Sequence, residues 1–284
     1  MAKFQTQGVG MFRALVLLMT LSTTSNVFAQ TEHEDPGAKV QFTQYYTIED
    51  STTIQPPTGP QLLDLISLQP AATIAEDLMN WAENNAKWMM PTAPYNRAKH
   101  FGSWLSDPLD RPCLNTREKV LIRDSDRTVD LGPNGCTIKA GEWIDPYGGA
   151  THVKPVEVQI DHMVPLKNAY LMGASKWDAK ARCVYANFLA NDFHLLAVEG
   201  RLNQSKGDSD PSRWMPPNTQ FHCTYLKDWL SVKMIWGLIM SPNEANAISK
   251  LFKEEGCDPR SFQMTKSEIA KQRRAISDKF EMCN

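Results

Sequence analysis

Six cysteines, Cys113, Cys136, Cys183, Cys223, Cys257 and Cys283, constrain the fold of this 284-residue chain more than any other feature. What they impose depends on redox compartment, and the start of the chain speaks to that. Lys3 and Arg13 precede an apolar stretch from Ala14 to Leu21, followed by polar residues and then "NVFAQ", in which Val27 and Ala29 flank Phe28. This is the layout of a secretory leader cleaved after Ala29, and Met11 opens an equally complete leader. Ala14 to Leu21 is too short to cross roughly 30 Å of hydrocarbon. No later segment is longer in this sense, so no membrane span is expected after cleavage. The chain is expected to be exported, periplasmic or secreted, with its oligomeric state open. In an oxidising compartment an even cysteine count reads as three disulfides. Zinc is the rival reading, but no CxxC spacing supports it. Proximity along the chain suggests Cys113 with Cys136, Cys183 with Cys223, and Cys257 with Cys283.

Cleavage would remove two cations and no anion, taking the formal charge from −2 to about −4. No global basic field is then available to gather nucleic acid or acidic membrane. Any contact with a polyanion must be local or metal-mediated.

Residues 30–59 are polar and punctuated by "PPTGP", the composition of a linker. Residues 60–94 form an N-terminal helical segment, with Ile74, Leu78, Trp81 and Trp88 at roughly helical spacing. From about Lys119 to Ile160, "KVLIRD", "TVDL", "CTIKAGEWI" and "PVEVQI" are β-prone pieces separated by "GPNG" and "DPYGG". A helix capped by Ser175, with Asp178 three residues on, presents Trp177, Ala181, Val184, Tyr185, Phe188 and Leu189 as one stripe. "HLLAV" reads as a strand and "GRLNQSKGDSDP" as a turn with a brief helix. An amphipathic helix spans Phe221 to Met240. Residues 238–284 add two terminal helices, the first opened by a capping box of Ser241 and Glu244 with Pro242 between them and stopped at Gly256.

Three short pieces carry the chemistry: "IDHMVPL" (160–166), "HLLAV" (194–198) and "RLNQSKGD" (201–208). In order they predict a strand ending in Asp161 and His162, a return strand opening at His194, and a helix bearing Asn203. A strand–strand–helix unit of this order would gather all four residues at one end of a hairpin. Phosphodiester hydrolysis needs an activated water and charge stabilisation at phosphorus; a divalent cation supplies the second and a nearby base the first. Asp161 and the Asn203 amide oxygen are hard donors suited to Mg²⁺, with Mn²⁺ or Zn²⁺ as alternatives. His162, neutral near pH 7, is suited to take the proton.

"DHMVPL", "HLLAV" and "NQSKGDSDPSRW" resemble the HNH, or ββα-metal, nucleases, and specifically exported proteins similar to the C-terminal domain of the GmrSD restriction endonucleases. The likeness extends to "FGSW", "NTREKVLIRDS", "GCTIKAGEWIDPYGG", "WMPPN" and "YLKDW", so it covers a domain of residues 95–237. The resemblance implies an α+β fold, a ββα-metal core with added strands and flanking helices, and an endonuclease acting on DNA or RNA. It implies that His162 is the general base and that Asp161 and Asn203 hold the metal. The position usually taken by a loop-bracing Asn falls here on His194, which can brace or bind metal.

Arg117, Arg123 and Lys206 are candidates for substrate phosphates. Taken singly, each is more simply a solvated charge. His33, His100, His152 and His222 lack partner spacing and read as structural or exposed. Two other functions stay open: a catalytically silent exported protein that binds nucleic acid or a surface, and a metallo-phosphoesterase acting on a small substrate.

Overall fold

The computed structural model describes residues 91, 93–106, 112–258 and 266–283. The expected leader, linker and most of the N-terminal helical segment lie outside the described residues. The architecture is mixed α and β, with small two-stranded sheets, packed helices and three disulfides.

A short helix, α1 (Arg97–Phe101), is capped by Asn96, whose side chain accepts from Lys99 N. The next segment corrects the sequence reading. "KVLIRD" is helical, in α2 (Thr116–Arg123). Asn115 caps it by accepting from Arg117 N, and Glu118 Oε2 reaches back to Asn115 N at 3.1 Å, closing a capping box. Those local bonds satisfy otherwise orphaned helix donors and override the β preference of Val120 and Ile122.

Strands β1 (Asp130–Leu131) and β2 (Ile138–Ala140) form one antiparallel pair, and β3 (Trp143–Ile144) and β4 (Thr151–His152) another. Between β1 and β2, Gly135 takes φ 67°, a left-handed turn that glycine adopts without a Cβ penalty. The central pair is β5 (Val158–His162) with β6 (Leu195–Glu199), in antiparallel register from Val158↔Glu199 to His162↔Leu195. Strand alternation divides their side chains between two faces. Val158, Ile160, Leu195 and Ala197 pack with Val120, Leu121, Ile138 and Trp143. Each fully buried aliphatic side chain of this kind contributes roughly 1.5–3 kcal/mol. The other face meets α5 (Gly200–Lys206), which follows β6 directly.

Between β5 and β6 lie α3 (Leu166–Leu171) and α4 (Ala179–Ala186). Ser175 does not cap α4, as the sequence suggested; it sits in the 3₁₀ turn Ala174–Lys176. Asp178 is the cap, accepting from Ala181 N at 2.7 Å. The expected stripe is otherwise kept: Trp177, Ala181, Val184, Tyr185 and Phe188 all enter the larger core.

The expected amphipathic helix is α6 (His222–Trp236), and it is buried around nearly its whole circumference. α7 (Pro242–Glu254) and α8 (Lys266–Asp278) cover it. The predicted capping box of α7 forms, and Glu244 also binds buried Lys233 at 2.9 Å and accepts from Trp229 Nε1 at 2.7 Å.

The disulfides are Cys113–Cys136, Cys183–Cys283 and Cys223–Cys257. The first pair follows the proximity reading and the other two exchange partners. Cys223, in the first turn of α6, meets Cys257 just past α7, because consecutive packed helices bring the start of one beside the end of the next. That leaves Cys183 on α4 for the C-terminal turn Phe280–Cys283.

Candidate active site

His162 is the last residue of β5 and turns toward the end of α4. Its Nε2 lies 3.0 Å from the Ala186 carbonyl oxygen. A carbonyl only accepts, so the neutral ring carries its proton on Nε2 and leaves the lone pair on Nδ1. Trp104 stacks on one side with planes 6° apart and centroids at 5.3 Å, and Tyr185 lies nearly parallel at 6.3 Å. Burial, reinforced by the neighbouring His194, holds the imidazole pKa well below its ordinary value. The ring is therefore neutral, fixed in orientation and fixed in tautomer.

His194 is anchored to the same helix end: its Nε2 donates to Tyr185 O at 2.7 Å. The two imidazole centroids are 6.2 Å apart, nearly perpendicular. The His194 backbone oxygen accepts from Met163 N at 3.0 Å, tying down the residue after His162. Burial pushes the His194 pKa down to about 4, and its Nδ1 is enclosed with no hydrogen-bond partner.

Asp161 takes the opposite course. Its Oδ2 accepts from Lys206 Nζ at 2.5 Å and from Tyr147 Oη at 2.5 Å. Burial raises the Asp161 pKa and lowers that of Lys206, each opposed by the attraction of its partner. Asn203, one helical turn before Lys206, gives Nδ2 to Gln159 Oε1 at 3.0 Å. Gln159 and Asp161 share a strand face, so Asn203 and Lys206 of α5 face them in step. The structure thus brings His162 to His194, Asp161 to Lys206, and Asn203 to Gln159. Adjacent residues in a strand leave it on opposite faces, so Asp161 and His162 take different side-chain partners at the same end of β5, bridged by Lys206, whose ammonium bonds Asp161 Oδ2 and the His162 carbonyl oxygen.

The three expected phosphate contacts each bond within the protein, Lys206 wholly enclosed and Arg117 and Arg123 part-buried. Lys206 has no exposed surface and also donates to the carbonyls of His162 and Met163 at 2.9 and 3.0 Å. Tyr147, Tyr225 and Trp229 surround its ammonium at about 6 Å. Arg117 donates to Pro155 O and Val158 O, fixing the entry to β5. Arg123 pairs with Asp124 and donates to the carbonyls of Asn191 and Leu195, fixing the entry to β6. Cations beside so many carbonyls lower the cost of ordering those loops.

His100 and His222 are structural, as read: His100 Nδ1 accepts from Asn96 N, and His222 Nε2 donates to Pro216 O. His152 differs. With Asp145 and Glu199 it forms a carboxylate and imidazole group whose ligand atoms lie within 4.8 Å of one another. No sequence spacing signals this group, because it needs β3–β4 folded against the end of β6.

Among the described residues, no helix is long and apolar enough to cross a membrane. The family model for the C-terminal domain of GmrSD restriction endonucleases matches residues 123–251. An uncharacterized secreted protein from Arthroderma benhamiae (strain ATCC MYA-4681 / CBS 112371) is 35% identical over 195 residues, which cover 69% of this chain and 88% of that protein. No solved structure matches. The matched region holds β5, β6, α5 and all four residues of the candidate site, and on these findings the chain belongs to the family of the GmrSD restriction endonuclease C-terminal domain.

Proposed function

We propose that this chain is an exported endonuclease that hydrolyses phosphodiester bonds of DNA or RNA, with His162 as general base. The observation that carries this reading is the His162 ring, neutral through burial and held through Nε2 so that Nδ1 keeps its lone pair. A lone pair held in this way can take a proton from an attacking water; general-base catalysis is worth about 10²–10⁴-fold in rate, and the low pKa that burial imposes places His162 at the lower end. His194 and Lys206 act as positioning residues. One ties Met163 through its carbonyl oxygen, and the other holds the carbonyls of His162 and Met163. Membership in a nuclease family supports a nucleic-acid substrate. Three disulfides and a secreted relative support export, periplasmic or secreted.

Nuclease chemistry of this class calls for a divalent cation, Mg²⁺ before Mn²⁺ or Zn²⁺. The donor chemistry fits it: among the described residues the hydrogen bonds to Asp161 land on Oδ2, and Asn203 uses Nδ2 and not its oxygen. Asp161 Oδ1 and Asn203 Oδ1 are the hard oxygens left to hold it. When bound it supplies charge stabilisation at phosphorus and at the departing oxygen.

One observation favours a second reading, a catalytically silent binding protein: the cations expected at the substrate are engaged with the protein's own backbone. Digestion of plasmid DNA and structured RNA by the oxidised mature chain separates the readings, with Mg²⁺, Mn²⁺, Zn²⁺ or EDTA, beside a folded His162→Ala variant. Metal-dependent cutting that falls at least 100-fold in the variant is expected. Full activity in the variant would remove His162 as base, and an inert wild type would leave the silent reading.

A further inference from the structure

We infer that Asp145, His152 and Glu199 form a second divalent-cation site, of zinc or manganese character, distinct from the site around His162. Asp145 follows β3, His152 lies in β4, and Glu199 is the last residue of β6, directly before α5. Their ligand atoms lie within 4.8 Å of one another, and none of the three is an exposed surface acid: Asp145 is 1% exposed, and the other two are half-buried. Two carboxylates held this close repel. The nearby cation, Arg201, bonds Glu199 at 2.7 Å from a side chain 89% exposed, where solvent screens it.

Two further observations point to an ion. His152 Nε2 is enclosed and has no hydrogen-bond partner, while its Nδ1 lies 3.7 Å from the Glu157 carboxylate. At 3.7 Å that carboxylate attracts the ring without hydrogen-bonding it, and the unpartnered Nε2 is the nitrogen left to bind an ion. Gly148 also keeps space open between the acids. A Cβ there would stand 2.8 Å from Leu202 Cδ1, 2.9 Å from Asp145 Oδ2 and 3.9 Å from Glu199 Oε2, so it would press on both the Leu202 side chain and the acids.

Asp145 already accepts from the backbone N–H groups of Tyr147, Gly148 and Glu199, so its position is set before any ion arrives. One imidazole nitrogen and two carboxylate oxygens suit zinc or manganese over magnesium or calcium, with solvent completing the shell. The ion joins the β3–β4 hairpin to the β6–α5 junction, which sets where α5 begins. Glu199 pairs with Val158 and Leu195 pairs with His162, so the site stands at the far end of the hairpin, four residues or roughly 13 Å from the proposed base. The inference does not depend on the hydrolase reading.

The test is calorimetric titration of the EDTA-stripped, oxidised mature chain with Zn²⁺ and with Mn²⁺, and Co²⁺ absorption to detect a nitrogen ligand. His152→Ala, Glu199→Gln, Gly148→Ala and Asn203→Ala are compared after circular dichroism shows them folded. One tight equivalent is expected in the wild type and in Asn203→Ala, weakened at least tenfold in His152→Ala and Glu199→Gln, and weakened also in Gly148→Ala. Absence of binding by the wild type overturns the inference. So does binding that survives His152→Ala unchanged, or binding lost in Asn203→Ala alone, which would assign the ion to Asn203 and not to His152 and Glu199.

Discussion

Lys206 Nζ lies 2.5 Å from Asp161 Oδ2, and the same ammonium holds the carbonyl oxygens of His162 and Met163. A residue that looks from sequence like a phosphate contact thereby becomes the internal support of the strand end that carries the proposed base. Removing one partner of a buried ion pair leaves the other charged and unsolvated, at a cost of about 3–5 kcal/mol. Lys206→Met is expected to lose that much in urea unfolding at pH 7. Adding Asp161→Asn should restore a large part of it, because the stranded charge is gone. A loss below about 1 kcal/mol in the single variant would contradict the enclosure of Lys206.

His194 makes stability pH-dependent on the acid side. Burial brings its pKa down to about 4, against an ordinary value of 6.5. Between those values the unfolded chain binds a proton that the folded chain refuses. The stabilisation is therefore present above pH 6.5 and lost as pH falls through the window, by roughly 2–3 kcal/mol between pH 7 and 4.5. Urea midpoints at both pH values should show a smaller drop in His194→Asn, whose amide can still donate to Tyr185 O. An equal drop in both proteins would assign the loss to other groups.

Asp228, in α6, works in the opposite sense. Burial pushes its pKa up to about 7, with Lys227 opposing and Asp192 adding. The folded chain keeps a proton that the unfolded chain has released, so stability falls as pH rises from about 4 through 7. Asp228→Asn removes that dependence. Its stability relative to wild type should improve by roughly 2–3 kcal/mol on going from pH 5 to pH 8, measured by thermal or urea unfolding.

The disulfides should differ in weight. Cys183–Cys283 spans 100 residues and Cys113–Cys136 spans 23. On the chain-entropy account these closures contribute about 4–5 and about 3 kcal/mol. Cys183 lies on α4, whose last carbonyls hold His162 and His194. The Cys183→Ser/Cys283→Ser double variant is expected to lower Tm more than the corresponding change at Cys113 and Cys136. The reverse order would show that the unfolded chain or local contacts outweigh loop length.

The legible parts of the site were those written in local pattern. β5, β6 and α5 follow from β-branched runs, turn residues and a short helical stretch, and the helix opened by Ser241 and Glu244 follows from its cap. α2 departs from the β-prone reading of "KVLIRD" because its capping box, carried by only two side chains of "NTRE", sets the helix before the β-prone "VLI" begins. Ser175 was mistaken for a cap that Asp178, three residues later, performs with a bond to Ala181 N.

The order of elements around Asp161, His162, His194 and Asn203, and an even set of cysteines fit to be bridged, can be read from residue order alone, because capping, periodicity and residue chemistry act over a few neighbouring positions. Packing in three dimensions is what gives Asp161 and His162 different partners, encloses Lys206, sets Arg117 and Arg123 against backbone carbonyls, pairs Cys183 with Cys283, and brings Asp145, His152 and Glu199 together. Each of those outcomes depends on which distant carbonyls, carboxylates and rings the packed chain brings within a few ångströms. Such juxtapositions leave no local trace in the order of residues.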